Sequence, residues 1–275
     1  MTSDTFERSC AHWSEAGRSE MERFYAIASV DYEHLAKARD WRIWLKDHAA
    51  HAPGPLRLLD VACGSGKFPA ALHRHAAIGE SDLDDIAYSL LDPSRFSIEE
   101  AKAQLEPPFV PAREFEVTLQ ALECEPDAFD VAWATHALYA APREDLAEGL
   151  ERLIKACSRE IVIGHAFCDA HYIKFQQLFL EAFDRTGETP YCHAEDITAA
   201  LDQIGARHTV SELAYQNGSD DRELVEGFLQ RCVFDESVTL DQMEASSVLA
   251  PYLEHCRTDG RWVFDQRVAL IAIQC

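Results

Sequence analysis

The chain has 275 residues, of which 48 are Asp or Glu and 25 are Lys or Arg, so its formal net charge is −23. Because so acidic a chain offers no basic face to phosphate groups, we expect no nucleic-acid partner and no binding to an anionic membrane. Apolar residues make up 47% of the chain, which is enough for a sizeable core and excludes global disorder.

Two further features of the composition bear on compartment and metals. The first 18 residues are polar and acidic, without the basic start and apolar centre of a signal peptide, and no run of about 18 apolar residues follows. We therefore expect a cytoplasmic location. The nine cysteines include no CxxC pair, so the sequence predicts neither a disulfide framework nor a metal site.

The order of helical and strand-like patterns divides the chain into two predicted segments. Residues 1–52 have helical apolar spacing and are predicted to form an N-terminal helical segment, which ends where His51–Pro55 breaks the pattern. In residues 53–275, short apolar strands alternate with helices as far as residue 185, which is typical of an α/β fold with a doubly wound parallel sheet. Strands are predicted at 56–62, 88–91, 114–117, 129–135, 161–165, 209–215 and 263–273, with an acidic helical insert near 217–258.

The strongest local signal is a glycine-rich turn directly after the first predicted strand. Residues 58–68 read LLDVACGSGKF, so a buried strand leads through Gly64 and Gly66 into a helix. Glycines there permit positive φ and leave the backbone open to a ligand, while the helix N-terminus offers free N–H groups. Asp92 ends the second predicted strand, where a carboxylate can accept hydrogen bonds from two ribose hydroxyls.

Together, Asp60, Gly64, Gly66 and Asp92 resemble the two nucleotide-binding motifs of the class I S-adenosylmethionine-dependent methyltransferases. The resemblance covers residues 56–166 and, more loosely, the remainder of the chain. Segments such as residues 1–52 form a lid in related enzymes, so the resemblance implies an N-terminal helical lid. It implies a Rossmann-like, mostly parallel seven-stranded sheet with an antiparallel last strand, and S-adenosyl-L-methionine as the cofactor. The cofactor-binding residues that it implies are Asp60, Ala62, Gly64, Gly66, Asp92, Pro93, Thr118, Leu119 and Thr135.

Outside this core, the order and spacing of three segments are similar to histamine N-methyltransferase and its relatives. The segments are residues 136–139, 228–234 and 262–273. The similarity implies that His136 and Gln266 hold the acceptor amine. Where those enzymes have a glutamate near the N-terminus, this chain has Gly17 or Arg18, and a guanidinium suits a carboxylate. We therefore expect an amino-acid-like acceptor rather than histamine, with Arg18 binding either its carboxylate or that of the cofactor.

Aromatic side chains are predicted to surround the sulfonium and the acceptor, because ring faces attract cations and exclude water. Tyr25 and Tyr172 are interpreted as catalytic residues together with His136, which is the best-placed base for an amine acceptor. The predicted substrate-binding residues are Tyr32, His136, Tyr139, His171, Phe175 and Gln266.

The leading functional hypothesis is an S-adenosylmethionine-dependent methyltransferase that acts on a small-molecule amine or amino-acid-like acceptor, as a monomer or homodimer. The alternative is a cyclase or lyase of the azetidine-2-carboxylate synthase type, which cleaves the same cofactor and releases methylthioadenosine. Such an enzyme needs no acceptor pocket. A non-catalytic cofactor-binding protein is a third possibility.

Overall fold

A computed structural model describes residues 4–80, 82–185 and 187–275, which form a seven-stranded sheet, a small hairpin and flanking helices. The strands are β1 (Arg57–Val61), β2 (Ile86–Leu91), β3 (Phe109–Phe115), β4 (Phe129–Thr135), β5 (Cys157–Ala166), β6 (His208–Asn217), β7 (Arg257–Thr258), β8 (Arg261–Trp262) and β9 (Phe264–Gln274). The helices are α1 (Asp4–His12), α2 (Arg18–Lys37), α3 (Trp41–Ala49), α4 (Lys67–Ala76), α5 (Arg95–Ala103), α6 (Leu146–Ala156), α7 (His171–Ala182), α8 (Ala194–Gln203), α9 (Arg222–Cys232), α10 (Leu240–Ala245) and α11 (Ala250–His255).

The strand order of the main sheet is β3-β2-β1-β4-β5-β9-β6. The pairs from β3 to β5 are parallel, whereas β9 runs antiparallel to both β5 and β6. This confirms the predicted doubly wound sheet with an antiparallel last strand. Every residue of β4 is buried, as is typical of a central parallel strand that is covered on both faces. The order reverses between β1 and β4, so a ligand crevice is expected at their carboxyl ends.

The 20-residue helix α2 connects the N-terminal segment to the rest of the molecule. It packs against α4, which follows the glycine-rich turn, and against α9. Its buried side chains Met21, Tyr25, Ala28 and Leu35 have the spacing of one helix face. The predicted division into 1–52 and 53–275 stays a prediction, and residues 1–3 of the first segment lie outside the described residues.

The predicted insert near 217–258 contains α9, α10 and α11 and the first strand of the small hairpin. Asp221 starts α9 by accepting hydrogen bonds from the backbone N–H groups of Glu223 and Leu224. The insert helices bury Phe228 and Leu253 in one apolar cluster with residues of α2 and α7. The insert therefore covers the same end of the molecule as the N-terminal helices.

The third strand is the clearest error of the sequence-based assignment. It was expected at 114–117, but β3 spans Phe109–Phe115. β3 is an edge strand in which only Phe109 is buried, so the run FVPAREF lacks the apolar pattern that marks the central strands. In the described ranges, no helix combines the length and apolarity needed to cross a bilayer.

Candidate functional site

The turn after β1 has three residues with left-handed backbone. Ala62, Gly64 and Gly66 have φ values of 49°, 52° and 71°. A Cβ on Gly64 would meet only the Tyr25 hydroxyl, at 4.0 Å, so this face of the loop is open. A Cβ on Gly66 would lie 2.9 Å from Cα of Ala101, so Gly66 allows the loop to pack closely on α5. The first glycine therefore leaves room for a ligand, and the second serves packing.

Asp92 follows β2 and lies directly beside this turn. Its Oδ2 accepts a hydrogen bond from Gly64 N–H at 3.1 Å, and its Oδ1 accepts one from Ser94 N–H at 2.8 Å. Burial raises the pKa of this carboxyl to about 6, although both backbone N–H groups favour its charged form. Each oxygen keeps one lone pair, which suits two neighbouring ribose hydroxyls.

Asp60, near the end of β1, is a second buried acid at the same edge. Its Oδ2 accepts a hydrogen bond from the Tyr88 hydroxyl at 2.6 Å. Burial, with a further contribution from the negative charge of Asp92, raises the pKa of Asp60 to about 7. Two adjacent carboxyls favour a ligand that brings hydroxyl or ammonium donors, because these compensate the buried negative charge.

A cavity of about 130 Å³ opens above these groups at the carboxyl edge of β1, β2 and β4. It brings together most of the residues predicted to bind the cofactor. The predicted residues that line it are Tyr25, Tyr32, Asp60, Ala62, Gly64, Asp92, Pro93, Thr118, Leu119, Thr135 and His136. The cavity has carboxylates on one side, which can accept hydrogen bonds from ribose hydroxyls, and apolar side chains such as Leu119 on the other, which can pack on an adenine ring. Its aromatic rings suit a cationic sulfur.

A second cavity of about 110 Å³ adjoins the first. The predicted residues Tyr25, Tyr32 and His136 line both cavities and therefore belong to their common wall, which also includes Ser9, Trp13, Ala137 and Ala140. Tyr139 and Tyr172, also predicted from the sequence, line the second cavity only. The other aromatic residues around it are Trp13, Phe24, Tyr191 and Phe234. The two cavities therefore adjoin at these residues, and a ligand in the second cavity would lie next to one end of a ligand in the first.

His136, directly after β4, has the left-handed φ of 52° and a partly buried ring that lines both cavities. Its Nδ1 lies 2.6 Å from the Tyr139 hydroxyl, while its Nε2 is buried without a partner in the described structure. Burial lowers the pKa of His136 to about 3. The imidazole is therefore neutral at ordinary pH and binds protons weakly, unlike the near-neutral base expected from the sequence.

Asp31 of α2 is a third buried acid and lines the second cavity. It accepts hydrogen bonds from the Tyr172 hydroxyl and, at 2.8 Å, from Asn217 Nδ2. Burial raises the pKa of Asp31 to about 7, and these donors reduce the shift. A carboxyl with this pKa can exchange a proton near neutral pH.

Arg18 does not reach either cavity. Its guanidinium donates to Glu15 and Glu100, with Nη2 at 2.8 Å and 2.9 Å from their oxygens, and lies over the Phe96 ring. Because both carboxylates already occupy its donors, the predicted contact with a ligand carboxylate has no support in this geometry. Gly66 also lies outside the lining of both cavities.

Three predicted substrate residues lie away from the two cavities. His171 is buried, with Nδ1 2.8 Å from the Tyr252 hydroxyl, and Phe175 packs on its ring. Gln266 donates from Nε2 to Asn217 Oδ1 at 3.3 Å, and Asn217 in turn donates to Asp31. His171 and Phe175 are therefore core residues, whereas Gln266 supports the cavity indirectly.

The sequence-based reasoning missed Asp31 and Arg231, the two charged side chains that line the second cavity and are almost fully buried. Helical spacing carried a partial signal, because Asp31 lies three and four residues from the buried Ala28 and Leu35. Within the described ranges, no group of three or more His, Cys, Asp or Glu side chains could hold a metal ion.

The sheet order and the crevice define the Rossmann-like fold of S-adenosylmethionine-dependent methyltransferases. Magnesium protoporphyrin IX methyltransferase from Synechocystis PCC 6803, solved with bound S-adenosylhomocysteine, has a TM-score of 0.56 at 14% identity, covering 97% of each chain. The plantazolicin methyltransferase BpumL, also solved with S-adenosylhomocysteine, has a TM-score of 0.51 at 12% identity, covering 98% of this chain and 95% of its own. YcgJ from Bacillus subtilis has a TM-score of 0.54 at 13% identity, covering 84% and 96%.

At these identities the likeness establishes the fold. No protein-family model and no curated protein matches the sequence. The similarity to histamine N-methyltransferase stays a prediction.

Proposed function

We propose that this protein is an S-adenosylmethionine-dependent methyltransferase that acts on a small-molecule amine. The observation that carries the proposal is the buried Asp92 carboxylate beside the open face of Gly64, in a cavity that adjoins a second, aromatic cavity. Both relatives solved with S-adenosylhomocysteine share the fold that creates this crevice. A monomer or homodimer in the cytoplasm stays a prediction.

The first cavity would hold the cofactor through the residues gathered at the sheet edge. Asp92 would accept hydrogen bonds from the ribose hydroxyls, and Leu119 would pack on the adenine. Asp60, which is buried below the turn, would favour the ammonium of the methionine arm. When bound, S-adenosylmethionine supplies a methyl group that is already activated by its sulfonium. The chain therefore has to align the acceptor and exclude water.

The second cavity would hold the acceptor with its amine directed at the common wall. The bound cofactor would supply a methyl carbon to which the neutral nitrogen donates its lone pair, forming the new N–C bond. The electron pair of the C–S bond would stay on sulfur, so a neutral thioether would leave and the nitrogen would become cationic. One proton then leaves that nitrogen.

Asp31 would take this proton, because its carboxylate lines the second cavity and its pKa is about 7. The neutral His136 imidazole would position the amine through Nε2, while Tyr139 holds the other side of the ring. Tyr25 and Tyr32, which also belong to the common wall, would face the sulfonium.

The second cavity also favours methyl transfer over the cyclase or lyase alternative, which needs no acceptor pocket. The test incubates the purified protein with S-adenosylmethionine alone and then with a panel of small amines, and separates the products by mass spectrometry. We expect S-adenosylhomocysteine and a methylated amine only when an acceptor is present. Methylthioadenosine without an acceptor, or binding without turnover on every acceptor, would overturn the proposal.

A further inference from the structure

Arg231 of α9 lines the second cavity and is the only Lys or Arg among the described residues that is fully buried, with 2% of its surface exposed. Its Nη1 lies 2.9 Å from His12 Nδ1, and its Nη2 donates to the His12 carbonyl oxygen at 2.9 Å. Its Nε is buried without a partner in the described structure. The guanidinium also lies 4.5 Å from the centre of the Trp13 ring.

No ion pair of the described residues includes Arg231, whereas Arg18, Arg57 and Arg222 each contact at least one carboxylate. His12 cannot supply a counter-charge, because an imidazole is either neutral or cationic; burial and the neighbouring guanidinium lower its pKa and so keep it neutral. Glu20 and Glu236 line a small third cavity together with Arg231 and attract its charge, but neither forms an ion pair with it among the described residues. A buried charge without a partner is costly, and this cost falls when a ligand brings the opposite charge.

We infer that Arg231 binds a carboxylate of the acceptor, so the substrate of the second cavity is an amino acid or a similar carboxylate-bearing amine. This inference rests on the proposed function and names the class of acceptor. Arg231 and Asp31 line the same cavity with opposite charges, as the carboxylate and the amine of such a molecule require. The aromatic residues between them suit an apolar or aromatic side chain.

The geometry distinguishes the acceptor from the cofactor as the source of the carboxylate. Arg231 lines the second cavity but not the first, which contains Asp60, Gly64 and Asp92. A guanidinium that held the methionine carboxylate of the cofactor would be needed for cofactor affinity. A guanidinium that holds the acceptor would leave that affinity nearly unchanged.

The first test uses the unmodified protein and matched pairs of acceptors, each pair consisting of an aromatic amino acid and the amine formed from it by loss of the carboxylate. We expect kcat/KM to be roughly 100-fold higher for the amino acid of at least one pair, as one charge-assisted bidentate contact predicts. Methylation of the amines with equal or greater kcat/KM would overturn the inference while leaving the proposed function intact. A lack of turnover on every acceptor would instead contradict the proposed function.

The second test compares Arg231→Met and Arg231→Lys with the control Arg74→Met, which removes the same charge from an exposed position of α4. We expect Arg231→Met to raise KM for the amino acid roughly 100-fold, to leave KM for the amine within about threefold, and to keep the affinity for S-adenosylhomocysteine measured by calorimetry. Arg231→Lys should recover part of the preference. An equal rise in KM for both acceptors, or a matching loss of cofactor affinity, would overturn the inference. If Arg231→Met does not fold, the acceptor pairs decide the matter.

Discussion

Replacing Asp92 with asparagine tests the cofactor site with the smallest change in shape. The carboxylate accepts one backbone N–H on each oxygen, from Gly64 and from Ser94, and keeps one lone pair on each for a ribose hydroxyl. In Asp92→Asn, one oxygen becomes an NH₂ group that faces a backbone donor. The ribose hydroxyl that donates to this oxygen loses its acceptor, so the ligand loses one hydrogen bond to a charged group.

A hydrogen bond to a charged group contributes about 1.5–3 kcal/mol, so we expect the dissociation constant for S-adenosylhomocysteine to rise roughly 10- to 150-fold. The measurement is isothermal titration calorimetry at pH 8, where a carboxyl with a pKa of about 6 is ionised. The difference between the two proteins should shrink below pH 6, because protonation neutralises the carboxylate of the unmodified protein as well.

The matched control is Asp84→Asn, in the exposed loop that leads into the opposite end of β2. It removes the same charge from a position far along the strand from the turn, so we expect an unchanged affinity. An Asp92→Asn protein that folds and binds S-adenosylhomocysteine within twofold of the unmodified protein would refute the assignment of this cavity to adenosine.

Three further predictions concern the acceptor side and the glycine-rich turn. The pKa of Asp31 is raised to about 7 in the folded protein, so the unmodified protein loses stability as this carboxyl ionises. In urea unfolding, Asp31→Asn should therefore gain roughly 2–4 kcal/mol of stability relative to the unmodified protein as pH rises from about 4 to 7, and a difference that does not change with pH would contradict this. His136→Ala should lower kcat roughly 100-fold while calorimetry finds cofactor affinity within about threefold; equal losses in both would remove its positioning role. Gly66→Ala should destabilise the fold by about 1–3 kcal/mol in thermal unfolding, because φ is 71° and the new Cβ would lie 2.9 Å from Ala101 Cα. The control Gly54→Ala should change stability little, because its new Cβ would have no atom within 4 Å.

The cofactor side of the site could be predicted from the sequence because its parts are local. The turn that contains Gly64 lies between β1, which ends at Val61, and α4, which begins at Lys67, and Asp92 directly follows the next strand along the chain. In a parallel sheet the carboxyl ends of successive strands meet at one edge, so local patterns are enough to bring these residues together. Their roles toward a ligand stay predictions.

The acceptor side could not be predicted in the same way, because its charged residues are far apart in the chain and are defined by their partners. Arg18 and Arg231 carry the same guanidinium group, and each lies near one end of a helix. Only packing shows that Glu15 and Glu100 bind the guanidinium of Arg18, while Arg231 lines a cavity and forms no ion pair among the described residues. Likewise, Gln266 was predicted to touch the substrate, but it contacts Asn217 instead.

The amino-acid sequence by itself determined the alternation of strands and helices, the glycine-rich turn and the acid after the second strand, since each depends on neighbours within a few residues. Tertiary structure alone decided that α2 and α9 meet over the sheet edge and enclose a second cavity with Asp31 and Arg231 in its wall. The physical reason is that the cost of burying a charge, and so its value as a binding group, depends on which distant side chains surround it.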